Sequence, residues 1–194
     1  MTDYFALLNQ PPQPWLDAEQ LKQAYHAQTL STHPDAQRSI PETASAETAF
    51  ALLNEAYQTL QEPKRRILHL LALRGHAPAA RFEEVPNDIA ELFPAIAATT
   101  QEVERVTASM AQASSVLRRS LLMPELLALR ARVADLLLDL ERLQAMADAE
   151  LQRLSKSPEA NDQTVALQAL AVRYSYLQRW TTQLAEHQVR LNGA

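Results

Sequence analysis

The sequence predicts an all-α protein, and three observations carry the prediction. Glycine occurs only twice in 194 residues, apolar residues make up 47% of the chain, and runs of alternating β-branched and aromatic residues are absent. The apolar residues recur instead at helical spacing. Apolar content of that size excludes general disorder, and a chain of this length forms one or two domains with a workable core.

The same composition closes off several functions. With no cysteine the chain cannot hold a disulfide, a thiolate zinc site or a cysteine-ligated cluster of its own. A net charge of −5 with scattered basic residues leaves no electrostatic footprint for nucleic acid. The start Met1-Thr2-Asp3-Tyr4 lacks the basic and apolar regions of a signal peptide, and no apolar run approaches the roughly 20 residues of a membrane span. A cytoplasmic location without membrane contact is the expectation.

Thr2 or Asp3 can cap a short first helix through Leu8, after which Asn9-Gln10-Pro11-Pro12-Gln13-Pro14 forces an extended connection. Asp17 stands three residues before Gln20, as a capping box requires, with Leu16 and Leu21 placed as a hydrophobic staple. Leu21, Ala24 and Tyr25 then share one face of the second helix. Pro34 and Pro41 interrupt the chain before a third helix whose stripe is Phe50, Leu53, Ala56, Tyr57 and Leu60. Pro63 ends that helix and opens a fourth, with Leu68, Leu71 and Ala72 inward and Gly75 at its end.

Residues 76–87 change texture and read as a linker between a first domain, 1–75, and a second, 88–194. The second domain carries three long stripes. One is Ile89, Leu92, Phe93, Ile96, Val103, Val106 and Met110. The next runs from Leu126 through Leu136 and Leu143 to Leu154, with Pro124 in its first turn. The last, opened by Asn161 or Asp162, holds Leu170, Tyr174, Leu177, Leu184 and Leu191, and Ser155 to Asn161 form the turn before it. Such helices need their apolar faces covered, and an antiparallel three-helix bundle covers all of them. Heptads this regular can also pair between chains.

The chemistry concentrates at His33-Pro34-Asp35, where proline fixes its own φ and holds an imidazole and a carboxylate outward. Around it stand Asp3-Tyr4-Phe5-Ala6-Leu7-Leu8, Leu21-Lys22-Gln23-Ala24-Tyr25, the run from Phe50 to Leu60, and Glu62-Pro63-Lys64-Arg65-Arg66. In that order residues 1 to 75 resemble a J-domain, the DnaJ-type module that stimulates ATP hydrolysis by a DnaK-type chaperone. Arg66-Ile67-Leu68-His69-Leu70-Leu71-Ala72-Leu73-Arg74-Gly75 is similar to the end of that module in the HscB (Jac1) co-chaperones of iron–sulfur cluster assembly, which add an all-helical second domain.

The resemblance implies that the carboxylate of Asp35 receives an arginine of the partner ATPase, beside His33 and Pro34. It implies a basic docking face, here thinned to Lys22, His26 and Arg38, with Ala36 where a lysine commonly follows the tripeptide. Gln28 and Thr32 also depart from the family's leucine and tyrosine. For the second domain it implies a client surface, in HscB proteins for the iron–sulfur scaffold protein. Leu92, Phe93 and Ile96 keep its apolar part, as a partly exposed patch, while Pro94, Ala97, Ala98, Thr99 and Thr100 replace most of its charged part.

His33 could otherwise serve as a metal ligand or base, or stand as a plain surface histidine, but His26, His69, His76 and His187 are scattered without an acid or a second histidine at a zinc-site spacing. No phosphate loop, nucleophile elbow or paired-carboxylate motif is present. The reading is therefore a chaperone-ATPase regulator with no catalytic residue, cofactor or metal of its own. Its alternative is a helical assembly module whose J-like half is inert. Tyr174, Tyr176 and Trp180 form a second candidate client surface, with Tyr174 expected in the core.

Overall fold

The computed structural model describes residues 1–32, 43–76, 85–156 and 163–194. The described chain is helical: α1 (Tyr4–Leu7), α2 (Ala18–Thr32), α3 (Thr43–Gln61), α4 (Pro63–Leu73), α5 (Asn87–Ala90), α6 (Phe93–Gln112), α7 (Val116–Ser155) and α8 (Thr164–Asn192). It divides into two compact units, one of Met1–Phe82 with Ala149–Ala171, the other of Glu83–Asp148 with Val172–Ala194. Periodicity follows α7 and α8 as whole helices, whereas compactness divides each of them.

In the first unit the local signals act as expected. The Asp3 carboxylate accepts from the Phe5 and Ala6 amides and caps α1. Asp17 accepts from the Gln20 amide at 2.9 Å, and Leu16 and Leu21 are both buried, so cap and staple set the start of α2. Pro63 takes the first turn of α4. The helix ends in a Schellman motif: His76 N–H donates to the Leu71 carbonyl and Gly75 N–H to that of Ala72, with Gly75 at φ +80°. Only glycine adopts that conformation without strain.

The α2–α3 hairpin packs through Tyr25, which stacks on Tyr57 with ring centroids 4.5 Å apart and bonds Asn54 through its hydroxyl. Leu53, Ala56 and Leu60 are buried beside α1 and α4. Phe50 departs from its predicted stripe and is 45% exposed. It stands one turn before Leu53, near the end of the described hairpin, where α1 and α4 give it no cover. Trp15 N–H donates to the Ser155 hydroxyl at 2.7 Å, so the proline-rich connection is tied to the end of α7, whose Leu151 and Leu154 are buried in this unit.

In the second unit polar cross-links reveal the register. Glu102 pairs with Arg132 and Arg105 with Glu125, so α6 and α7 are antiparallel. Asp148 accepts from the Tyr174 hydroxyl and the Leu191 carbonyl from Arg130, so α7 and α8 are antiparallel too. Thr100 meets Gln183 and His187, and α6 and α8 run the same way. Val103, Val106, Val133, Leu140, Leu177 and Leu184 are buried in the bundle these three helices form.

Two boundaries differ from the sequence reading. The stripe that begins at Ile89 breaks into α5 and α6, because Pro94 lacks an amide proton and its ring would strike the carbonyl of Ala90 in a continuous helix. Conversely, α7 starts eight residues before Pro124. Ser115 accepts from the Arg118 amide as a cap, and Pro124 sits inside the helix where Ser120, which would have bonded its missing N–H, is exposed to water. The predicted start of α8 at Asn161 or Asp162, most of the turn before it, and most of the linker lie outside the described residues.

Candidate functional site

The first candidate surface is the outer face of the hairpin. Leu21 and Tyr25 turn inward, and the same helical period turns Lys22 and His26, four residues apart, into solvent. Both are exposed, and the His26 ring lies 5.6 Å from that of Tyr25. The structure brings these two basic side chains to one face of α2. His33, Pro34, Asp35 and Arg38 lie outside the described residues.

Behind that face two buried polar residues fix the helices that carry it, and the sequence reading missed both. Arg66 donates from Nε to the Pro14 carbonyl at 2.7 Å and from a terminal nitrogen to the Leu60 carbonyl at 2.6 Å. One guanidinium thereby joins the proline-rich connection, the end of α3 and α4. His69 Nε2 accepts from the Tyr4 amide at 3.1 Å, and its ring stacks on Tyr4 and Phe5. Burial holds its pKa below the ordinary value, against the pull of Asp3. That neutral imidazole satisfies a first-turn amide of α1 that the Asp3 carboxylate does not reach. The available signal was position: both residues lie on the face of α4 that also carries Ile67 and Leu70.

The second candidate surface lies on the bundle. Leu92 is half-buried and Phe93 is 41% exposed, its ring edge-on to Tyr176 at 5.3 Å and to Trp180 at 5.0 Å. Ile96 is buried, so the expectation that it shares an exposed patch is corrected: three residues beyond Phe93 on α6, it turns into the bundle. Trp180 and Tyr174 are buried as well, and Tyr176 is half-exposed. The accessible apolar cluster is therefore Leu92, Phe93 and Tyr176.

Beside it stands a polar cluster that the sequence did not disclose. The Thr100 hydroxyl donates to the Ile96 carbonyl at 2.9 Å and accepts from Gln183 at 2.9 Å, with His187 Nε2 at 3.3 Å. His187 is therefore the Nε2–H tautomer. Its buried Nδ1 has no partner among the described residues. Burial, then Arg190, lower its pKa, while Glu104 and Glu186 oppose them. Among the described residues no group of three or more His, Cys, Asp or Glu is placed to hold a metal, and no helix is long and apolar enough to cross a membrane.

Residues 3–69 match the DnaJ domain family, and further helices follow that segment. The amino-terminal part is similar to HscB co-chaperones: it is 37% identical over 75 residues to co-chaperone protein HscB of Proteus mirabilis and 40% identical over 79 residues to the HscB homolog of Paraburkholderia phymatum. These matches take in 38% and 37% of this chain and 43% and 42% of those proteins, so the chain spans about two-fifths of the length of the curated relatives it matches. Across nearly all of the chain the fold is like that of chaperone HscB from Vibrio cholerae, with a TM-score of 0.59, 23% identity, and 98% and 99% of the two chains covered. Human co-chaperone protein HscB gives a TM-score of 0.54 at 18% identity, over 97% of this chain and 83% of that one. At these identities the likeness is one of fold.

Proposed function

We propose that the chain is a co-chaperone whose first part, residues 1–75, docks on a DnaK- or HscA-type ATPase and stimulates hydrolysis. Its second part, residues 88–194, would present a client. The observation that carries this reading is the DnaJ domain match over residues 3–69, within which His33-Pro34-Asp35 stands intact. In it Asp35 meets an arginine of the ATPase, and Lys22, His26 and Arg38 add long-range attraction. Leu92 and Phe93, with Tyr176, take the client contact, since an exposed aromatic and aliphatic cluster on a soluble bundle is a contact surface. The iron–sulfur scaffold protein is the proposed client, and the chain works in the cytoplasm without nucleic acid or membrane.

A steady-state ATPase assay with the chaperone of the same cell tests the reading. Asp35→Asn keeps the side chain's shape, so stability should change by no more than about 0.5 kcal/mol. It should nonetheless lower stimulation about ten- to a hundredfold, as loss of a charge-assisted bond does. Undiminished stimulation by that variant would leave the inert assembly module as the better reading.

A further inference from the structure

The outer face of α7 carries a second apolar stripe that the bundle does not use. Leu117, Leu121, Pro124, Ala128, Ala131, Asp135, Leu138, Arg142 and Ala145 follow one another in alternating steps of four and three. That is the period of a coiled-coil seam, and it is sustained over about 43 Å of helix at 1.5 Å per residue. The stripe lies opposite the buried one formed by Leu126, Leu129, Val133, Leu136 and Leu140. Its side chains face water: Leu117 is 72% exposed, Leu121 73% and Leu138 50%, with Val116 and Leu127 exposed on its flank.

We infer that this face pairs with the same face of a second copy of the chain, antiparallel, across a two-fold axis near residues 136 and 137. The charges choose the orientation. A parallel pair in register would set Asp135 against Asp135 and Arg142 against Arg142, like charges in the seam. Turned antiparallel about that axis, Leu138 faces Asp135 of the other copy. Arg142 faces Ala131, whose small side chain leaves it room to reach Asp135 one turn away. On one rim the same operation brings Arg132 beside Asp139, and the symmetry repeats each contact. This self-complementarity is what an isologous interface requires. In this register Leu138, Ala128, Ala131 and Ala145 line the seam, and Leu121 and Leu117 lie against Gln152 and Lys156 of the other copy, on the continuation of the same helix face.

Sedimentation of the full chain over a concentration series tests the pairing. A monomer–dimer equilibrium is expected, and Leu138→Glu, at an exposed position, should raise the dissociation constant about tenfold or more. Asp135→Arg should weaken the dimer, and adding Arg142→Asp should restore it. The chain has no cysteine, so orientation can be read by cross-linking. Ala128→Cys with Ala145→Cys should form an intermolecular disulfide readily, whereas Ala128→Cys alone should not. A chain that stays monomeric throughout overturns the inference and leaves the stripe to a different helix. A dimer indifferent to Leu138→Glu, or one linked by Ala128→Cys alone, overturns it equally.

Discussion

The two units achieve order by different means, and the difference decides what their sequences reveal. In the unit built on α1 to α4, short helices are each started or stopped by a local device, the Asp3 and Asp17 caps, Pro63 and the Gly75 turn, and are then locked by single buried polar groups. In the unit built on α6, α7 and α8, long repetitive stripes supply the burial, and a few polar cross-links such as Asp148 with Tyr174 and Thr100 with Gln183 mark the register. Non-repeating contacts specify one arrangement strongly. Repeating ones specify a class of arrangements, including pairing with another chain.

The sharpest way to break that contrast is at Arg66. Arg66→Met keeps much of the aliphatic stem but leaves the buried Pro14 and Leu60 carbonyls without these donors. Each orphaned group costs about 1 to 3 kcal/mol, and two together bring the expected loss to about 2 to 6 kcal/mol. Chemical denaturation followed separately by Trp15 and Trp180 fluorescence should show the loss in the first unit. An equal shift of the Trp180 transition would mean that the units do not unfold independently.

In the bundle the corresponding test is a leucine. Leu177 is fully buried, and Leu177→Ala should cost about 2 to 5 kcal/mol, the usual range for a buried truncation. Leu136, slightly more accessible, should sit toward the lower end of that range with the same substitution. Calorimetric melting of each variant checks both values. Because the stripe is continuous, neighbouring apolar groups can partly collapse onto the gap, which no neighbour can do for the lost guanidinium.

Most of the fold was legible for these reasons, and so are the places where it was not. Caps and staples act within a few residues, so α1, α2 and α4 could be placed from sequence. Phe50 could not, because a stripe fixes a direction but not the length of the helix beside it. Pro124 misled because proline at a first turn and proline inside a helix look alike in sequence, and Ser115, the cap that distinguishes them, lies nine residues earlier. Ile96 and Phe93 share a stripe on α6, yet Ile96, three residues on, turns into the bundle while Phe93, the first residue of the helix, stays partly exposed beside Tyr176. His69 and His187 could not be placed from sequence because isolated histidines carry no period. Only the structure supplies the Tyr4 amide and the Thr100 hydroxyl that hold them.

Those two histidines place the units on common ground. Both have folded-state pKa values lowered chiefly by burial, so in each unit the unfolded chain takes up its proton first as pH falls below the ordinary value of about 6.5. Stability from the neutral rings is complete above that pH and declines below it, until the folded-state pKa is reached. Denaturation midpoints at pH 7.5 and 5.5 should therefore fall for both transitions. His187→Gln should flatten the pH dependence of the Trp180 transition and leave that of the Trp15 transition intact. A pH response of the bundle that survives this substitution would point to the carboxylates instead.

The smallest effect is expected at Lys22, and it separates holding the fold from using it. Lys22 projects from α2 into solvent one residue after buried Leu21, away from the Tyr25 and Tyr57 stack. Lys22→Ala therefore removes no buried contact and, since alanine is a good helix former, should leave the denaturation midpoint unchanged within error. In ATPase stimulation it should lower the response less than Asp35→Asn does, because an exposed ammonium is hydrated and screened and acts mainly on the rate of encounter. Raising salt from about 0.05 M to 0.5 M shortens the screening length several-fold, and the difference between Lys22→Ala and the parent chain should shrink with it. A deficit that ignores salt would make Lys22 a specific contact of the docked complex and not part of a steering face.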